Sequence, residues 1–476
     1  MNRLRGALVL EWTVEWRYRV PVVALAMTAV WTLALSAMPA SVARVAGPVV
    51  LTIDTATFGS FFIAALVLFE RGEGALAALT VTPLRFGEYL GAKIACLTGL
   101  SVVSAVPVTL AAGMNLVAAL PGVTLMAVLF LALNAAIAVR HRSLTGFLTV
   151  APLPLAPLIA APLAHLTGVG DHPLLFIVPT TGAAEIIRAG LDPVMIGYLL
   201  AAIAGALWLA RRRFASGTAG TDRVRTSRIH GHRTRWRPHG WLAALAGIDR
   251  RTSVRSALVT VVLAGPVLLA IALRLGYPPL VAYVHARFGF DVTPYQPILL
   301  AALVVLHVPL IIGMVGALLV LDDLDDRTVL VLRVSPVGAP RYLAYRAIAV
   351  AAVAMLMLVV AVPVSGLAPS LPGILPALAL AAAQAPLITL ATTAIAANKV
   401  EGLAWLKILG LLPTGIAPAM WWLPGPVHRP LRALPHYWTV DTLWHPNLTG
   451  LLIGTGLTTL AATLMARQAL RRLGGG

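Results

Sequence analysis

Apolar runs of spanning length alternate with short polar breaks along most of the chain. A helix needs about 20 mainly apolar residues to cross a bilayer, and windows of that kind predict helices near 20–39, 49–69, 89–112, 116–139, 145–164 and 193–210. A second set follows near 257–274, 298–321, 342–366, 371–396, 403–423 and 448–466. The two sets are separated by "RRRFASGTAGTDRVRTSRIHGHRTRWRPHG", which carries nine arginines and few apolar residues and reads as a basic linker near lipid headgroups. The fifth span of each set is rich in proline (Pro152, Pro154, Pro157 and Pro162; Pro413 and Pro418), which predicts kinks. Residues 172–192 and 427–447 are too polar to cross and predict short helices dipping into the outer face. Ahead of each first span, "EWTVEWRYR" and "WLAALAGIDRRTSVRS" predict helices lying in the membrane interface. In the former, Trp12 and Trp16 sit one turn apart, and Glu15 and Arg19 are spaced to pair.

Composition turns this pattern into a class. With 59% hydrophobic and 11% charged residues and a mean hydropathy of +0.88, the chain cannot build a water-facing surface. It reads as an all-α polytopic membrane protein of twelve transmembrane helices. Its charge of +18 sits in short clusters between apolar runs (Arg3, Arg5, Arg17 and Arg19; Arg140 and Arg142; Arg211 to Arg213; Lys399; Arg467, Arg471 and Arg472). Clusters on alternate breaks predict orientation and contacts with anionic lipid, not nucleic-acid binding, and place both termini in the cytoplasm. One cysteine, Cys96, excludes an intrachain disulfide and a cysteine metal cluster. The N-terminus lacks the form of a cleavable signal, since charge persists to Arg19. The predicted organisation is a six-helix half over 1–213, a linker over 214–240 and a second half over 241–476.

The halves resemble each other. A constant offset of 253 aligns "AALVLFERGEGALAALTVTPLRFGEYLGAK" with "ALLVLDDLDDRTVLVLRVSPVGAPRYLAYR" without a gap and with nine identities in thirty positions, Pro83/Pro336 and Tyr89/Tyr342 among them. Polar positions agree in kind: Glu70 with Asp323, Glu73 with Asp326, Thr82 with Ser335, Lys93 with Arg346. An offset of 256 pairs Pro179 with Pro435 and Glu185 with Asp441. Two parallel six-helix repeats are the expected architecture.

"LDDLDD" (321–326) holds four of the 18 acidic residues and admits three readings. Asp322, Asp323 and Asp326 spell D-D-x-x-D, the pattern by which membrane prenyltransferases hold magnesium, yet no second acid-rich segment exists to face it. A proton-coupled carrier of twelve helices needs carboxylates within the bilayer, and Asp54 is nearly alone there. The third reading rests on the repeated unit: an acidic pair three residues apart, a short amphipathic helix, a Thr/Ser-Pro turn, then Tyr-Leu opening the next span with a cation four residues after the tyrosine. As simple helix punctuation, Pro83 and Pro336 would be stops, and Lys93 and Arg346 cations reaching for the interface.

"FERGEGALAALTVTPLRFGEYLGAK" resembles the cytoplasmic segment between the second and third helices of ABC type-2 exporter permeases, and the second copy fits with Asp for Glu. It departs at Arg327 for Gly74, Arg333 for Thr80 and Arg341 for Glu88. The resemblance implies a fused tandem permease whose coupling segments dock on two copies of a separate nucleotide-binding ATPase. ATP and magnesium would be bound by that partner, because the chain has no G-x-x-x-x-G-K-[ST] of its own. The implied coupling residues are Glu70, Gly72, Glu73, Thr82, Pro83, Leu84, Tyr89 and Lys93, with Asp323, Asp326, Arg327, Ser335, Pro336, Tyr342 and Arg346. Asp322 and Asp325, matched by Phe69 and Gly72, have no role in the repeat. The implied function is export of a lipophilic or amphipathic drug, natural product or lipid through the cell membrane of a bacterium, by a transport subunit that is not itself an enzyme.

Overall fold

A computed structural model describes residues 2–36, 38, 40–72, 85–141, 144–168, 172–218, 257–289, 291–325, 338–368 and 370–474. Every regular element among them is helical. The chain divides into two compact units, Met1–Thr234 and Arg235–Gly476. The greater part of the basic linker, residues 219–240, lies outside the described residues.

In the first unit, α1 (Asn2–Arg17) and α2 (Val20–Ser36) meet at 66°. The break falls at Arg19, whose φ of 61° is left-handed and cannot continue a helix of L-residues. Trp12 and Trp16 lie on the exposed side of α1 with ring centroids 6.0 Å apart, edge to face. Glu15 does not pair with Arg19. An i,i+4 pair requires an unbroken helix, and α1 ends at Arg17; Glu15 is instead wholly buried, with neither carboxylate oxygen hydrogen-bonded.

The long helices α3 (Ala40–Gly72), α4 (Phe86–Ala111), α5 (Leu116–Ala138) and α9 (Pro193–Thr218) follow, with the short α8 (Pro179–Ala189) ahead of α9. α5 sits at the centre against α3, α4, α8 and α9. Small or flexible residues, Ala119, Gly122, Met126, Ala132 and Ala135, help it do so, and they are buried beside larger ones such as Phe130 and Leu131. Lipid tails are as apolar as leucine, so helices associate in a bilayer through close packing and small residues. The predicted fifth span is two pieces, α6 (Leu144–Val150) and α7 (Pro152–Thr167), separated at Ala151. Pro152 and Pro154 lack backbone N–H donors, and the ladder passes them through Ala151, which is helical in φ and ψ, with Ala151 N–H donating to Phe147 O at 2.8 Å and Leu155 N–H to Ala151 O at 3.2 Å.

The second unit contains α10 (Ala257–Phe288), α11 (His307–Asp325), α12 (Gly338–Ser365), α13 (Leu371–Ile395), α14 (Lys399–Trp422), α15 (Pro435–Trp444) and α16 (Leu448–Gly474). Here α13 is central, against α11, α12, α15 and α16. Gly313 lets α11 touch it: a Cβ at that position would stand 2.6 Å from the Ala385 carbonyl oxygen and 3.0 Å from the Ile388 Cβ. Thr389 seals the same contact by donating to Gly313 O at 2.9 Å. A π-helical stretch, Leu300–Val305, precedes α11. It accommodates Pro309, which cannot donate to Val305 and whose ring would crowd that carbonyl in a regular helix.

Among the described residues, ten helices are long and apolar enough to span a bilayer, eleven if the bent α1–α2 pair counts as one. The predicted first and fifth spans fall outside the ten: α2, which follows the bend at Arg19, has 17 residues. α7 is apolar but only 16 residues long.

Gly313→Ala should lower the stability of the purified protein by about 1–3 kcal/mol, the cost of an extra methyl group in a close helix contact. Gly276→Ala on α10, where a Cβ meets open space, should not. Thermal unfolding in detergent checks both.

Candidate functional site

The last turn of α3 and the first turns of α4 form a charged joint. Tyr89 and Lys93 are one turn apart on α4 and therefore share a face; that face meets Glu70. The Tyr89 hydroxyl donates to Glu70, and Lys93 Nζ donates to Glu70 Oε1 at 2.9 Å. A third element closes the site: Lys93 Nζ also donates to both carboxylate oxygens of Glu11 on α1, at 2.7 and 2.8 Å. The ammonium lies 5.3 Å from the Tyr89 ring centre and is fully buried, so it does not reach for headgroups.

The second unit builds the same joint from α11 and α12. The Tyr342 hydroxyl donates to Asp323, Arg346 pairs with Asp323 at 3.1 Å, and Arg346 Nε donates to the Tyr342 oxygen at 3.2 Å. The guanidinium lies 5.4 Å from the Tyr342 ring centre. The spacing matches the first joint, with the tyrosine 19 and the cation 23 residues after the carboxylate in both. A buried cation of either kind is tolerable only when paired and hydrogen-bonded, so each joint fixes the mutual position of two long helices.

Of the coupling residues named from the sequence, the structure brings together Glu70, Tyr89 and Lys93, and separately Asp323, Tyr342 and Arg346. Gly72 is the last residue of α3. Glu73, Thr82, Pro83, Leu84, Asp326, Arg327, Ser335 and Pro336 lie outside the described residues. Sequence reasoning missed Glu11, which is 82 residues from its partner; its signal was a lone acid in the apolar stretch "GALVLEW". It also left Asp322 and Asp325 unexplained. Both face Lys399, the first residue of α14: Asp322 in direct contact and Asp325 at 3.9 Å. Asp322 and Asp323 thus turn to different cations and do not converge as a metal-binding pair would. Asp54 accepts from Trp31 Nε1 at 3.3 Å.

At the other end of the first unit, Glu185 on α8 accepts from Arg188 at 2.7 and 2.8 Å and lies 2.9 Å from His165 of α7. Burial works against the Glu185 carboxylate, but the hydrogen bonds from Arg188 and His165 outweigh it and hold the group below the ordinary carboxylate range. The positions offset by 256 from His165 and Arg188 are Trp421 and Trp444. Those rings meet edge to face with centroids 5.4 Å apart, so α14 and α15 are joined there by aromatic contact.

Long, mutually packed apolar helices with few buried charges, most of them paired, define a multi-pass membrane protein. Comparison with known proteins gives the family. The model described as "Fluoroquinolones export permease protein family" matches residues 2–216, and "Fluoroquinolones export permease protein Rv2686c-like" matches 249–470. The fluoroquinolones export permease protein Rv2687c of Mycobacterium tuberculosis (strain ATCC 25618 / H37Rv) is 35% identical over 199 residues, 41% of this chain and 84% of the relative. Protein Rv2686c of the same strain is 32% identical over 226 residues, 46% of this chain and 90% of the relative. The chain belongs to the fluoroquinolones export permease family. No solved structure matches it.

Lys93→Met leaves two buried carboxylates without their cation and should cost about 3–5 kcal/mol. Adding Glu11→Gln and Glu70→Gln should recover most of that loss. Arg346→Met, at a joint whose arginine side chain keeps 13% of its surface exposed, should cost less. Thermal unfolding of the three variants in detergent gives the order.

Proposed function

We propose that this chain is the complete membrane part of an ATP-driven exporter, a fused tandem of two permease halves of the ABC type-2 kind, with both termini in the cytoplasm. One observation carries the reading: a carboxylate–tyrosine–cation joint of identical spacing ties together the helix ends on either side of residues 73–84 in one unit and 326–337 in the other. These are the segments that resemble coupling helices. A segment held between two helices locked by a buried ion pair moves with them as a body, whereas one on a flexible loop would absorb a push. Two separate ATPase subunits, binding ATP and magnesium, would dock one per segment through Glu73 and Asp326.

The names of the relatives support export, and a fluoroquinolone or another amphipathic aromatic drug as cargo. The sequence pairing of the halves supports one chain supplying what would otherwise need two permeases. The lipid bilayer is the remaining partner, through the basic clusters and the tryptophans of α1.

The test is purification of the tagged chain from its native membrane, followed by reconstitution with any Walker-type ATPase that accompanies it. Wild type should export a fluoroquinolone from vesicles only with ATP. Glu73→Lys combined with Asp326→Lys should insert normally and lose at least tenfold in export per ATP hydrolysed. Full export by that double variant defeats the coupling assignment. Transport that ignores ATP but stops when a proton gradient is collapsed, and fails in Asp54→Asn, establishes the carrier reading instead.

A further inference from the structure

The two units differ at the point where their second long helix ends. In the first, Arg71 on the last turn of α3 donates to Val139 O at 2.7 Å, the cap of α5. In the second, the corresponding turn of α11 carries Asp322 and Asp325, and both reach past α13 to Lys399 at the head of α14. The three side chains are mostly sheltered, with 18% of Lys399, 22% of Asp322 and 24% of Asp325 exposed. Sheltering raises the strength of such a pair above that of an ordinary surface bridge. The contact is reinforced by packing, since a Cβ on Gly402, one turn into α14, would stand 2.3 Å from Leu321 Cδ1.

What Lys399 heads also differs. α14 is one helix of 24 residues from Lys399 to Trp422, about 36 Å long and enough to cross a hydrocarbon core of about 30 Å. Its start is sharply fixed: Asn398 accepts from the Val400 and Glu401 amides, each at 3.0 Å, and Glu401 reaches back to the Ala397 amide at 2.9 Å. This capping box leaves little fraying to absorb displacement. At its far end Trp421 and Trp422 stack with Tyr295, centroids 6.3 and 5.9 Å apart, and Trp421 meets Trp444. The equivalent stretch of the first unit is α6 and α7, which meet at Ala151.

We infer that Lys399 is a positioning residue for transport: the Asp322–Lys399–Asp325 clamp makes α11 and α14 move together. Displacement at the base of the second unit is then delivered along α14 to the Trp421–Trp422–Tyr295–Trp444 cluster. The first unit, with Arg71 tied to the end of α5, transmits motion by another route. The two halves therefore do unequal mechanical work, and the extra aspartates of the second are the reason. This rests on the transport role proposed above.

The test uses the full chain with Cys96→Ala, in which Asp322→Cys and Lys399→Cys are joined by a short, reducible bis-methanethiosulfonate linker. Export of a fluoroquinolone from cells is the readout, so the result does not depend on the energy source. The linked protein should export within twofold of its Cys96→Ala parent, and the same protein after reduction should fall below a tenth at equal membrane abundance. Lys399→Ala should fall likewise, Lys399→Arg should keep at least half, and Asp322→Lys with Lys399→Asp should recover a substantial part of what either change alone removes. Arg71→Ala should lose no more than threefold. Loss of export in the linked protein would mean that α11 and α14 must part, and it overturns the inference; so does normal export by Lys399→Ala, or an equal loss in Arg71→Ala. If export proceeds without ATP, the ABC reading fails while the linked and reduced forms still decide the clamp.

Discussion

The position of Lys93 between Glu11 and Glu70 constrains more of the first unit than any other contact. An ammonium with no exposed surface cannot be left half-paired, because desolvation of an isolated charge exceeds anything that local packing returns. Three helices distant in sequence, α1, α3 and α4, must therefore meet at one point. Once they do, the bend at Arg19 follows, since α1 must lie across the ends of the others while α2 runs along them. Glu15, buried one turn beyond Glu11 with no hydrogen bond of its own, shows how firmly α1 is drawn in.

Away from that point, shape replaces charge. α5 and α13 serve their units in the same way, each a central helix whose alanines and neighbouring glycines let four others approach. Gly122 admits Ile187 and the Ala183 carbonyl, as Gly313 admits Ala385. Threonines on α13 return their hydroxyls to carbonyls one turn back (Thr389 to Ala385, Thr392 to Ile388, Thr393 to Thr389), so a polar side chain enters the apolar interior without an unmet donor. Packing of this kind makes rigid units, and rigid units can move without deforming.

Likeness between the halves lies in the joints, and difference lies in what surrounds them. Carboxylate, tyrosine and cation recur at one spacing. The neighbours do not: an N-terminal helix supplies Glu11 in the first unit, while Lys399 answers two further aspartates in the second. At the opposite end the contrast repeats, with His165, Glu185 and Arg188 joined by hydrogen bonds in the first unit and Trp421 against Trp444 at the matched positions of the second.

By itself the sequence determined the helical class, the membrane setting and most of the long helices, because apolar run length is a local property that the bilayer reads directly. It also aligned Glu70, Tyr89 and Lys93 with Asp323, Tyr342 and Arg346, since an acid at a helix end and a tyrosine and cation one turn apart are visible in a self-alignment, but it did not determine that they meet. It overestimated the length of the first and fifth spans, predicted over 20–39 and 145–164, where α2 holds 17 residues and α7 holds 16. Only tertiary structure decided the partners across long separations. Nothing local to "GALVLEW" says that Glu11 meets Lys93, and nothing local to "LDDLDD" says that two of its four carboxylates answer a lysine 77 and 74 residues away. Such pairs are set by which helix ends the packing of α1, α4, α11 and α14 brings together, and that depends on the whole unit at once.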